Sequence, residues 1–367
     1  MSRDDSRDEE ILEYLEEMSG DLDRNQRGRL AHSVSVSAAK DHLFLNQLKK
    51  VQEQILSKKY TVGAQYRPRK DKKTARVLNI MLSDLHYGAA LDSREVSYQF
   101  GPLEEARRTA EVVRQVSEYK IEHRDETELC VHLMGDLIQN QLHDPRDGEP
   151  LAWQIGTASH ILTQALVFLA SKFKRVSVFC ATGNHGRNTA RHHDRAINQK
   201  WDSNETIVYH HIKAATKHLK NVTVHIPLTP YYTFEQFGMR GFCTHGDTVL
   251  MPGFPGKSIN VSSVKAQIDA INGKLEGSKR YSMFGVGHVH TYSCTMLPNR
   301  VVFMSNGCLI PTDAYAQSKG FIDTTCCQSL WETVPGYMVG DRREILVDSD
   351  TDKDSSLDSI IQPFENF

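Results

Sequence analysis

The chain has 367 residues, 39% of them apolar and 25% charged, with a formal net charge of -2. That balance describes an ordinary globular protein with room for one large domain or two, and it excludes a global attraction to nucleic acid, so any polyanion contact must come from a local patch or a metal. No run of about 18 uncharged apolar residues occurs, which argues against a membrane span.

The opening MSRDDSRDEE lacks the basic-then-apolar order of a secretory leader, so a cytoplasmic location is expected. Residues 1–76 are charged and helical in pattern. Ile11, Leu15 and Met18 fall on one stripe and Phe44, Leu48, Val51 and Ile55 on another, so two helices are expected. Docking on the main domain, self-association as a homodimer and holding a partner are the three readings of them. The stretch RPRKDKKTAR then forms a basic linker suited to a phosphate backbone or simply to solvent.

From residue 77 to about 345 strands and helices alternate, giving a main domain of α/β class. Strands are expected at 77–83, 128–134 and 175–182, and helices at 103–121, 152–173 and 205–219. Further strands follow at 222–227, 232–237 and 240–244, a helix at 261–275, a strand at 281–286 and a hairpin in CTMLPNRVVFMSNGCL. Such alternation implies a sheet with helical crossovers and ligand-carrying loops at the carboxyl ends of strands. The acidic tail, residues 346–367, reads as disordered by default, with its apolar tip a docking peptide for a protein partner as the other reading. The seven cysteines include no C-x-x-C pair and read as reduced, buried thiols.

A recurring break at strand ends carries the chemistry. MLSDLHYG ends the first strand in Asp84 and His86; later strands end in Gly135-Asp136, Gly183-Asn184-His185, His245-Gly246-Asp247 and Gly287-His288-Val289-His290. Carboxylate, amide and imidazole donors together suit Mn²⁺, Fe or Zn²⁺ better than Ca²⁺, with Mg²⁺ also admissible. Seven donors exceed the needs of one transition metal and fit two, about 3.5 to 4 Å apart, as used in phosphate ester hydrolysis.

The ordered set Asp-x-His, Gly-Asp, Gly-Asn-His, His and Gly-His-x-His resembles the calcineurin-like metallophosphoesterase superfamily, over residues 77 to about 309. The resemblance implies a double-layered mixed β-sandwich flanked by helices, a four-layer α/β/β/α arrangement. It implies that Asp84, His86 and His290 hold one metal, that Asn184, His245 and His288 hold the second, and that Asp136 bridges them. His185 would stand beside the leaving-group oxygen as a general acid.

The chain departs from that pattern in one place. Family members carry Asp or Glu directly after Gly-Asn-His, and here Gly186 stands there, so His185 would be either less basic or supported by another acid such as Asp194 or Asp144. Arg187 is a candidate for binding a non-bridging phosphate oxygen, and Arg191, His192 and His193 either join it from the same loop or form an exposed basic helix start. Gln139, Asn140 and His143 either line the substrate rim or hydrogen-bond within their loop, and Lys257 either meets phosphate or is simply solvated.

SDLHYG resembles the DNA-repair exonuclease branch, which implies a phosphodiesterase acting on nucleic acid. Against it, the substrate-contacting histidine of eukaryotic and archaeal members is replaced by Gln139, and fewer than 80 residues follow His290, too few for a capping domain with an ATPase-binding helix. The alternatives are a phosphomonoesterase acting on a nucleotide or phosphoprotein, and a non-catalytic scaffold.

Overall fold

The computed structural model describes residues 24–61, 76–92, 94, 96, 100–123, 127–142, 148–188, 199–254, 258–318, 320, 325–347 and 351–365. The chain divides into two units, Met1–Lys50 and Val51–Phe367. A single helix, α1 (Arg24–Ser57), runs through the division. The stripe at Ile11, Leu15 and Met18 and the basic linker up to residue 75 lie outside the described residues. No helix among the described residues is long and apolar enough to cross a membrane.

The second unit begins its α/β alternation with β1 (Arg76–Leu82), α2 (Pro102–His123), β2 (Thr127–Leu133), α3 (Leu151–Ala170), β3 (Val176–Cys180), α4 (Asn204–Ala215) and β4 (Val222–His225). It continues with β5 (Tyr231–Gln236), β6 (Met239–Thr244), α5 (Val261–Gly273), β7 (Tyr281–Val286), β8 (Ser293–Leu297) and β9 (Val301–Ser305). A short helix α6 (Ala314–Ser318) leads to β10 (Cys327–Thr333) and β11 (Arg342–Leu346).

The strands form two mixed sheets, six strands in the order β11-β10-β1-β2-β3-β4 and five in the order β5-β6-β7-β9-β8. β1 runs parallel to β2 with Leu78 opposite Leu129, and antiparallel to β10 with Ile80 opposite Leu330. Six of the seven β1 residues are buried, the pattern of a central strand covered on both faces.

The sheets face each other across one apolar layer. Met81, Met134, Ala181 and Trp331 from the first meet Tyr232, Phe234, Cys243, Met283 and Met304 from the second. On the far side of the second sheet, Val264 and Ile268 of α5 pack on Phe242, Phe284 and Phe303. α3, buried along most of its length, packs on β3 and against α2 and α4 on the far side of the first sheet. The result is the expected double sheet flanked by helices.

The inter-sheet layer is not wholly apolar. His132 lies 16° from parallel to both Phe179 and Tyr232 and 21° from Trp331, with its nitrogens 2.9 Å from Tyr232 Oη and 3.2 Å from Asn79 Oδ1.

The tail corrects the expectation of disorder. Residues 351–365 are folded within the second unit, because their acids find arginines far back in the chain. Arg107 clasps Asp358 at 2.7 and 2.9 Å, and Arg108 clasps Asp352 at 2.8 Å through two nitrogens. Ile361 and Phe364 are buried, Phe364 in a cluster with Val51 and Ile55. That supplies the apolar burial an acidic tail alone lacks.

Candidate metal centre

The loops after β1 and β2 are zipped together by backbone. Leu85 and His86 N–H both donate to Asp136 O, at 2.8 and 3.0 Å, and Asp84 N–H donates to Gly135 O at 3.1 Å. Asp84 carries φ +54°, His86 +51° and Asp136 +50°; His288 and His290 stand at +67° and +57°. Left-handed backbone costs free energy for a residue with a Cβ, so its repetition at five candidate donors shows that the surrounding structure holds these loops in place.

The loop after β3 approaches so closely that only glycine fits at its start. A Cβ on Gly183 would lie 2.0 Å from Asp136 Oδ1. His185 N–H donates to that same Oδ1 at 2.7 Å, which aims the carboxylate. Asp84 is aimed by Ser83 Oγ at 2.6 Å and by His288 N–H at 3.1 and 3.0 Å from its two oxygens.

The side chains converge in three overlapping groups: Asp84, His86 and His290; His86, Asp136 and His185; Asp136, His245 and His288. Within each group, one ligand atom per residue lies within 4.8 Å of the others, and Asp136 belongs to two of them. Asn184 joins through Oδ1, 3.2 Å from His245 Nε2. The seven expected donors and His185 therefore meet in one place.

A cation fits the chemistry of this donor set. His245 Nδ1 lies 2.8 Å from Met134 O, and a carbonyl only accepts, so Nδ1 carries the hydrogen and Nε2 of the neutral ring presents a lone pair. That lone pair faces two more acceptors, Asn184 Oδ1 at 3.2 Å and Asp136 Oδ2 at 3.0 Å. His86 repeats the pattern, with Nδ1 2.7 Å from Gln139 Oε1 and Nε2 3.3 Å from His290 Nε2. Converging acceptors need a positive charge between them, either a proton or a metal.

Without a metal the proton takes that place. Burial works against a charged His245, but the carboxylates of Asp136, Asp84 and Asp247 together outweigh it, and the imidazole is pushed up to about 10. Burial and the neighbouring His245 push His288 down to about 4. Burial, with His185 and His290 nearby, holds His86 well below the usual histidine range.

One nitrogen of His185 is held by backbone. Its Nδ1 donates to Gln139 O at 2.8 Å, which places the hydrogen of the neutral ring on Nδ1. Its ring meets His86 edge-on at 4.5 Å. Asp194 and Asp144, expected as supports, lie outside the described residues, as do His143, Arg191, His192, His193 and Lys257.

Gln139, expected at the substrate rim, is a correction: it is buried and spends its side chain on His86 and its carbonyl on His185. Asn140 likewise binds backbone, donating to Arg187 O at 2.9 Å. Arg187 is half-buried beside this loop, and its Nε is enclosed without a hydrogen-bond partner among the described residues.

Two buried carboxylates escaped sequence reasoning. Glu105 of α2 accepts from Gly88 N–H at 2.7 Å, under the loop that carries Asp84 and His86. Glu205 of α4 accepts from Leu137 N–H at 2.6 Å and Gly183 N–H at 2.7 Å. A lone glutamate on a helix has no local signature, and only an apolar helix face around it would have hinted at burial. Asp247 pairs with Lys200, both buried, beside His245.

No protein-family profile and no curated protein matches this chain. Solved structures do. A dimetal phosphatase from Danio rerio aligns over 75% of this chain and 100% of its own, at 11% identity and TM-score 0.38. A putative 5'-nucleotidase from Staphylococcus aureus aligns over 77% of this chain and 58% of its own, at 12% identity and TM-score 0.35. The calcineurin-like phosphoesterase YfkN from Bacillus subtilis aligns over 78% and 96%, at 13% identity and TM-score 0.31. Likenesses this distant carry no functional conclusion for this chain.

Proposed function

We propose that the chain is a dinuclear metal-dependent phosphoesterase that cleaves phosphodiester bonds, with nucleic acid as its substrate. The observation that carries the reading is the Asp136 carboxylate shared between two donor groups, with His185 against the same carboxylate. Asp84, His86 and His290 would hold one cation, Asn184, His245 and His288 the other, and Asp136 both. Cations in such a pair supply Lewis acidity and a water acidic enough to attack phosphorus near neutral pH.

The chain's own residues do the rest. Met134 O and Gln139 Oε1 fix the His245 and His86 rings so that each offers Nε2. Gln139 O fixes Nδ1 of His185, so a proton on Nε2 is the one delivered to the departing oxygen, a transfer worth about 10²- to 10⁴-fold in rate. The nucleic-acid part of the reading leans on the resemblance of SDLHYG to the exonuclease branch.

The test is hydrolysis of bis-(p-nitrophenyl) phosphate, p-nitrophenyl phosphate and labelled single- and double-stranded DNA with Mn²⁺, beside His185→Ala. Diester and DNA cleavage is expected, lost in the variant while metal binding persists. Turnover of the monoester alone would move the function to a phosphatase, and silence on every substrate would remove the enzymatic reading.

A further inference from the structure

Glu205 stands where the side chain of residue 186 would otherwise begin. A Cβ built on Gly186 would lie 2.4 Å from Glu205 Cγ, 2.8 Å from its Cδ and 2.5 Å from Ser203 Oγ. The glycine that breaks the family-like pattern after His185 is therefore demanded by a carboxylate arriving from another element. α4 delivers it: Ser203 caps the helix by accepting from Glu205 N–H at 3.2 Å, and Asn204 N–H donates to Gly186 O at 2.8 Å.

The two oxygens of that carboxylate do different jobs. One takes the N–H of Leu137, the residue after Asp136; the other takes the N–H of Gly183, the residue before Asn184. A single buried side chain thus clamps the loop of the shared donor to the loop of the amide donor and His185. Both bonds need an acceptor, and a neutral amide side chain offers only one oxygen. A carboxylate with 0% exposure is costly to bury, and its two acceptor oxygens are what this double contact uses.

We propose that Glu205 is the positioning residue of the metal centre, supplying from α4 the carboxylate that the chain omits after His185, with Gly186 as its obligate counterpart. The inference rests on the dinuclear reading above. It predicts that the carboxylate matters by place and not by origin in the chain.

The experiment is a calorimetric Mn²⁺ titration of the full chain, of Glu205→Gln, of Glu205→Ala and of the double variant Glu205→Ala/Gly186→Glu, each checked by circular dichroism and thermal melting. Glu205→Gln should keep its fold and bind metal about 10- to 100-fold more weakly, the scale on which supporting residues act. The double variant should bind more tightly than Glu205→Ala alone, because removing one side chain opens the space into which the other grows. Unchanged metal affinity in a folded Glu205→Gln, or a folded double variant no tighter than Glu205→Ala, would overturn the inference. A parent chain that fails to bind two cations would overturn the dinuclear reading itself, a result distinguishable from either.

Discussion

Arg108 and Asp352 lie 244 residues apart in the chain and meet in a two-pronged ion pair, Nε to Oδ1 and Nη2 to Oδ2, both at 2.8 Å. The third nitrogen, Nη1, donates to Leu309 O at 2.7 Å, and Leu309 N–H in turn donates to Asp84 O at 3.0 Å. The tail is thereby wired to the first donor loop. Because the Arg108 side chain is only 2% exposed, Asp352→Ala strands a buried charge and should cost about 3 kcal/mol. Urea denaturation measures it; a loss below about 0.5 kcal/mol would mean water replaces the carboxylate.

Gly183 tests the closeness of the β2 and β3 loops. Any Cβ there meets Asp136 Oδ1 at 2.0 Å, so Gly183→Ala must push the shared carboxylate aside. Loss of metal binding is expected with the fold retained, read by Mn²⁺ titration beside a melting curve. Normal binding in the variant would show that the loops separate easily.

His132 sets an acid limit on stability. Burial pushes its imidazole down to about 3, below the value of about 6.5 in an unfolded chain. The neutral ring is then favoured only in the folded state. This contribution is full above about pH 6.5 and is lost as pH falls toward 3, by up to about 1.4 kcal/mol per unit. His160, also pushed down to about 3 by burial, adds the same sign. Melting at pH 7.5 and pH 5 should show His132→Gln losing less stability on acidification than the parent chain; an equal change in both would show that His132 does not titrate in this range.

Glu105 acts at the other end of the scale. Burial pushes it up to about 8, with Glu104 and Glu149 adding, so folding favours its protonated form. Its contribution is full below the unfolded value near 4.5 and is lost as pH rises through about 8. Glu205, raised by burial to about 7, has the same sign. Between about pH 4.5 and 8 these two groups therefore take stability from the metal-free protein as pH rises, and Glu105→Gln should remove its part of that slope. An identical slope in the variant would show that Glu105 does not titrate in this range.

The candidate donors were legible because each sits beside a glycine or at a break where an apolar strand ends, a pattern that repeats along the chain. The strands from β1 to β9 were legible for the same reason, being apolar runs separated by helical period. β10 and β11 were not: the buried face of QSLWET mixes polar and apolar residues, and its place beside β1 depends on pairing across some 250 residues. The tail misled because Asp352 and Asp358 look solvated until Arg107 and Arg108 are placed next to them. Gln139 misled because a polar residue after the shared carboxylate reads as a rim, whereas the fold turns it inward to hold His86.

The position of β1 in its sheet has a consequence for synthesis. Its parallel neighbour β2 emerges soon after it, but the strand on its other side, β10, is not complete until Thr333. Until then an apolar strand presents an open edge of unpaired backbone, the kind of surface that recruits other chains into aggregates. A nascent chain stalled before β10 should need chaperone protection that the finished protein does not.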